Sequence, residues 1–155
     1  MDVTTDLQKL REKAESYYMA GDFCCSETVL KVIFEDFDTE LPETIVSLAS
    51  AFRSGLGGSG CICGGLVGGT MALGMFFGRG AAEEEDNVKK AMELSNELHN
   101  LFKKKLKAAC CRVLTKGFER GSPEHKQRCA RIAGRVTEET AKIIIREKGE
   151  NILKR

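Results

Sequence analysis

The chain has no tryptophan, only two prolines, and no stretch that alternates apolar and polar residues as a half-buried strand would. With so few breakers, its long runs of Ala, Leu, Glu and Lys favour helix. No segment repeats another. Residues 1–20 are charged and amphipathic, without the apolar core of a secretory leader, so a cytoplasmic protein is expected. No Gly-rich loop ends in GK[ST], which excludes a phosphate loop, and no Ser-centred triad or catalytic carboxylate pair is discernible. There is no CxxC pair, no ferredoxin run and no CxxCH haem signature.

The chain does have seven cysteines in 155 residues, at 24, 25, 61, 63, 110, 111 and 129. In a reducing compartment such a set points to metal binding, redox chemistry or burial rather than a disulfide framework. The length fits one domain, residues 1–155. Net charge is +1 but unevenly spread. Residues 1–52 carry eleven acids and four bases, whereas 103–135 carry eleven bases and two acids. That basic stretch suits an anion, a cluster of thiolates or an acidic partner. Only Phe102 and Phe118 accompany the bases, so stacking platforms for nucleic acid are scarce and nucleic acid is not the expected partner.

The spacing predicts an all-α fold, a compact bundle of five or six helices around a Gly-rich apolar helix. The first helix runs from about Thr5 to Ala20, capped by Thr4 or Thr5 and ended by Gly21. The second starts at Cys24–Ser26, with Ser26 as its cap, and reaches Phe37. Pro42 opens a third that ends near Ser54. The uncharged segment from Ser54 to Phe77 begins as a glycine loop and becomes a helix at Ile62–Gly65. A membrane span is weighed and set aside there, because glycine costs about 1 kcal/mol in a helix interior relative to alanine. Glycine and alanine four apart (Gly64, Gly68, Ala72) let another backbone approach, either within the chain or in a homodimer. A long helix follows the acidic turn Glu83–Asp86, with Val88, Met92, Leu98, Leu101, Phe102 and Leu106 on its apolar side. It ends near Cys110–Cys111. Ser122–Pro123 opens the last helix, which stops at Gly149.

The sequence CSETVL at Cys25, Cys63-Gly64-Gly65-Leu66-Val67-Gly68 with the following GTMALG, CRVL at Cys111, and Cys129 together resemble the C_GCAxxG_C_C family of small redox-active proteins. Its members carry four characteristic cysteines around a CGAxxG motif. Gly65 stands where the family has alanine. The resemblance implies a redox or electron-transfer role for Cys25, Cys63, Cys111 and Cys129, with Gly64 and Gly68 beside any cofactor and an electron-transfer or thiol partner. Cys24, Cys61 and Cys110 lie outside the pattern.

Spacings of 38, 48 and 18 residues mean that only folding can gather the four thiols. Their local settings agree: Cys25 and Cys63 are expected at helix N-termini, Cys111 precedes Arg112, and Arg128 and Arg131 flank Cys129. Positive potential at each is expected to favour the thiolate. Adjacent helical residues point about 100° apart, so Cys24 and Cys25 are not expected to aim at one point. The four thiols would hold an iron–sulfur cluster or form reversible disulfides, with Cys61 and Cys63 as a second pair and Cys61 as a resolving thiol. The alternative is a non-redox protein- or anion-binding module with a structural zinc or a thiol-rich core. His125, four residues before Cys129, is expected to face solvent, as is His99.

Overall fold

The computed structural model describes residues 2–154, and in them the all-α expectation holds. Six helices form: α1 (Val3–Ala20), α2 (Cys25–Asp36), α3 (Gly64–Phe77), α4 (Glu85–Leu106), α5 (Cys111–Leu114) and α6 (Pro123–Lys148). A 3₁₀ segment (Glu43–Phe52) follows α2, and a 3₁₀ turn (Glu150–Ile152) closes the chain. The glycine-rich α3 is central, bordered by α2, α4, α6 and the 3₁₀ segment, while α6 reaches α1, α2, α3 and α4. At 14 residues α3 spans about 21 Å, short of the ~30 Å hydrocarbon layer. No helix among the described residues is long and apolar enough to cross a membrane.

Two glycines show why α3 can sit at the centre. A Cβ at Gly64 would overlap Cys25 Sγ, and one at Gly68 would overlap the Ser26 carbonyl oxygen. Both glycines therefore face the start of α2, and the missing side chains let the two helices meet almost backbone to backbone. The third stripe member, Ala72, is fully buried.

Several expected boundaries move. Asp2, rather than Thr4 or Thr5, caps α1, accepting from the Thr4 N–H at 3.4 Å. Cys24 is the N-cap of α2, and Ser26 lies inside the helix, fully buried, donating to the Ala49 carbonyl at 2.7 Å. Pro42 is an extended cap, and the segment it opens winds as 3₁₀; its buried residues, Val46 and Ala49, are three apart, the 3₁₀ repeat. α4 stops at Leu106, because Lys107 adopts a left-handed conformation and its N–H returns to the Lys103 carbonyl at 2.8 Å. Cys110 consequently falls outside α4 and caps the short α5. The buried stripe of α4 is Leu94, Leu98 and Phe102, four apart, while Met92 and Leu101 are exposed. α6 begins on the Ser122 cap with Pro123 in its first turn and ends at Gly149, as its sequence predicts.

Candidate functional site: a cationic cleft lined by thiols

The chain between Phe52 and Cys63 supplies one wall. Ser54, Gly55, Leu56, Gly57, Gly58 and Gly60 all have positive φ, which is costly at Ser54 and Leu56 because they carry side chains. The loop's tight path is enforced at Gly55 (φ 70°), where a Cβ would lie 2.5 Å from the Cys61 nitrogen and 3.1 Å from Cys111 Cβ. The same path turns the Ser54 N–H onto the Cys25 thiol. Two backbone bonds, Cys63 N–H to the Ala109 carbonyl (2.7 Å) and Arg112 N–H to the Gly60 carbonyl (3.0 Å), bind segment 60–63 to segment 109–112.

This arrangement leaves an open cleft of about 470 Å³ between the end of α1, the start of α2, the glycine loop, α5 and the first turns of α6. Cys24, Cys25, Cys111 and Cys129 line it. Three of the four family cysteines, from α2, α5 and α6, are thus brought to one cleft. The fourth, Cys63, is buried but close enough to interact electrostatically with Cys25, Cys111 and Cys129. All seven thiols are free. Gly64 and Gly68 do not line the cleft; they lie under α2.

The thiol pairing differs from the expected one. The Cys24 and Cys25 thiols lie close enough to act on each other's ionisation. The helical 100° step does not separate them because Cys24 is the extended cap (φ −77°, ψ 173°), outside the helix proper. The Cys61 thiol neighbours the Cys110 thiol rather than Cys63, since Cys63 turns inward as the cap of α3 while segment 109–112 runs beside Cys61.

The expectation that positive surroundings make the four family cysteines thiolates is also reversed. The Cys24 contact and burial push Cys25 far up. Burial raises Cys63 to about 11, against the Leu66 and Gly65 N–H groups. Burial likewise raises Cys111 and Cys129 against the opposing pull of Arg120 on the former and of Tyr18 and Arg128 on the latter. Desolvation outweighs the nearby charges. The thiolate is instead Cys24, lowered to about 6 chiefly by the Cys25 thiol donating to it, with help from the Glu27 N–H at the helix start. Ser26 lies 3.4 Å from Cys24, but its proton goes to the Ala49 carbonyl, so the lowering rests on Cys25 and the helix.

Cys129 has two hydrogen-bond neighbours. The Tyr18 hydroxyl donates to it. His125 is half-buried rather than solvent-facing; its Nδ1 accepts from the Gly121 N–H at 3.4 Å, which places the ring proton on Nε2, 4.0 Å from Cys129 Sγ. Sequence reasoning missed Tyr18, whose only signal there was its place on an amphipathic helix. The sequence does place Cys24 with Cys25 at a helix start, where a thiolate is favoured, but leaves it outside the four-cysteine pattern.

Among the described residues no three Cys, His, Asp or Glu side chains come together as ligands of one metal ion. No curated protein and no solved structure is detectably similar to the chain. One family does match, over residues 23–143: that described as "Putative redox-active protein (C_GCAxxG_C_C)". The match takes in Cys24 and Cys25, the glycine loop, α3, Cys111 and Cys129, and the chain belongs to the C_GCAxxG_C_C family.

Proposed function

We propose that the protein carries out dithiol–disulfide exchange at the cleft, with Cys24 as the attacking thiolate and Cys129 as the resolving thiol. The observation that carries this reading is the placement of Cys24, in contact with a protonated Cys25, in an open cleft that Cys129 lines from α6. In the first step the Cys24 thiolate attacks one sulfur of a substrate disulfide. A Cys24–substrate disulfide forms, the substrate S–S bond breaks, and one substrate thiolate leaves. Cys129 then gives up its proton to that thiolate and attacks Cys24 Sγ, releasing the second substrate sulfur as thiolate. Two electrons pass to the substrate and the protein retains a Cys24–Cys129 disulfide, which a thiol partner reduces. Tyr18 and His125 stabilise the Cys129 sulfur as its proton departs. Cys25 touches Cys24 but suits resolution poorly: adjacent Cα atoms lie about 3.8 Å apart, short of the usual disulfide range of about 4.4–6.8 Å.

The test is anaerobic isolation of the untagged protein, with iron, sulfide, zinc and thiol assays. Titration with a small disulfide and peptide mapping of the product follow. The expected result is loss of two thiols per chain, with the new bond at Cys24 and Cys129. Stoichiometric iron and sulfide would replace this reading with an iron–sulfur electron carrier. A thiol count unmoved by the disulfide would overturn it outright.

A further inference from the structure

The lining of the cleft has a composition that thiol exchange alone does not require. Its charged residues are Arg53, Arg112, Arg120 and Lys126, and no carboxylate is among the lining residues. None of these four has a carboxylate partner within salt-bridge distance among the described residues, whereas Lys13, Lys31, Arg79, Lys90, Lys142 and Arg146 are all engaged. A protein of net charge +1 thus gathers four unpaired cations around one opening. Against them stand the Cys24 thiolate and, beside it, the Glu27 carboxylate, which accepts from the Cys24 N–H at 2.8 Å and attracts Arg53; four cations against two anions leave the cleft positive when reduced. Its volume, about 470 Å³, is that of a small-molecule site rather than a protein-docking face. The four cations come from three separate parts of the wall: the end of the 3₁₀ segment, the stretch from α5 to the following turn, and the first turn of α6. A ligand with negative groups at both ends can therefore be held while its sulfur reaches Cys24.

We infer that the cleft selects a small anionic disulfide, one carrying carboxylates on both sides of the S–S bond, over neutral and cationic disulfides. The inference rests on the exchange chemistry proposed above and adds the class of its substrate. The positive wall raises the local concentration of such an anion, an effect that reaches 10- to 1,000-fold in charged clefts (roughly) and fades as salt screens it.

The experiment measures second-order rates of the reduced full-length protein with 3,3′-dithiodipropionate (dianionic), bis(2-hydroxyethyl) disulfide (neutral) and cystamine (dicationic). Each rate is divided by that of a free small thiol with the same disulfide, at low and at high salt. Cystamine has the best leaving group because its ammonium lowers the thiol pKa, so an advantage for the dianion cannot come from intrinsic reactivity. The expected normalised preference for the dianion over the neutral compound is about tenfold or more at low salt, falling several-fold at high salt. Replacing Arg53→Gln, Arg112→Gln and Arg120→Gln together is expected to bring the ratio toward one; circular dichroism checks that the variant is folded, and the salt series on the unaltered protein stands without it. Equal normalised rates for all three disulfides would overturn the charge inference while leaving exchange at Cys24 intact. No reaction at Cys24 with any of them would overturn the exchange reading, and this inference with it.

Discussion

Cys24 should be the fast thiol of this protein, and acid is where it shows. With its pKa near 6, about 90% of Cys24 is thiolate at pH 7, against about 3% for an ordinary cysteine near 8.5, roughly a 30-fold advantage. Nucleophilicity falls with pKa at a Brønsted slope of about 0.4–0.5, so the shift of about 2.5 units makes each Cys24 thiolate roughly 13-fold less reactive. The net advantage at pH 7 is therefore only about twofold. At pH 6 the thiolate ratio is about 160-fold and the net advantage about 12-fold; at pH 5 the net advantage is about 22-fold. Alkylation by iodoacetamide, followed by peptide mass spectrometry between pH 4.5 and 9, should show one thiol with a midpoint near 6, at Cys24. Cys25→Ala should move that midpoint upward, because the main donor to the thiolate is gone, while Ser26→Ala should move it little, because that hydroxyl serves Ala49. A wild-type protein in which no cysteine alkylates with a midpoint below 8 would refute the reasoning. A midpoint in Cys25→Ala unchanged from wild type would refute its stated cause.

Further outcomes follow from the same contacts. Gly68→Ala should destabilise the fold by up to about 2 kcal/mol in urea titration, since an overlap cost of roughly 1–3 kcal/mol exceeds the ~1 kcal/mol gained in helix propensity. Gly74→Ala, on the exposed side of the same helix with nothing within 4 Å of the new Cβ, should stabilise by about 0.5–1 kcal/mol, and equal signs would contradict the packing. Tyr18→Phe should slow Cys129 alkylation near pH 8 by removing a donor to its thiolate; an unchanged rate would show that the hydroxyl does not act on it. Glu35 is partly desolvated, which favours its neutral form, but Lys31, Lys13 and the Tyr17 hydroxyl hold its carboxyl below the ordinary value. Its stabilisation is complete above that ordinary value, about 4.3, and is lost as pH falls through the lower folded one. Acid unfolding of Glu35→Gln should therefore depend less steeply on pH below 4 than that of the wild type.

How much of this was legible in the sequence divides along a physical line. Helix positions and the close-packing glycines could be read because their causes are local: Ser122 and Pro123 start α6 wherever it packs, and Gly64 and Gly68 four apart mark a face that admits a backbone. The left-handed Lys107 could not be read. Nothing nearby forces it, and the end of α4, with the separate α5 beyond it, depends on how segment 109–112 pairs with segment 60–63. The thiols failed for the same reason. Arg112 follows Cys111 in sequence, yet the arginine that pulls on that thiol is the more distant Arg120; Arg128 does act on Cys129, but burial is set by the whole fold and it outweighs both.

The family pattern and the ionised thiol also occupy different residues, and their separation has a physical cause. Cys25, Cys63 and Cys129 are drawn into the fold, Cys63 deepest, where desolvation keeps a thiol protonated. A thiolate needs a place that is nearer to water and still polarised, and the first residue outside a helix is such a place. Cys24 occupies it: its thiol meets the Glu27 N–H on one side and the Cys25 thiol on the other. Burial of Cys25 thus has a consequence one residue away, because a thiol that cannot ionise is a dependable donor to one that can. Moving that donor, rather than adding positive charge, is what should retune the site. Lysine substitutions on the exposed faces of 103–135 should therefore shift the Cys24 alkylation midpoint far less than Cys25→Ala does. A larger shift from such a lysine than from Cys25→Ala would return the thiolate to the control of the basic segment.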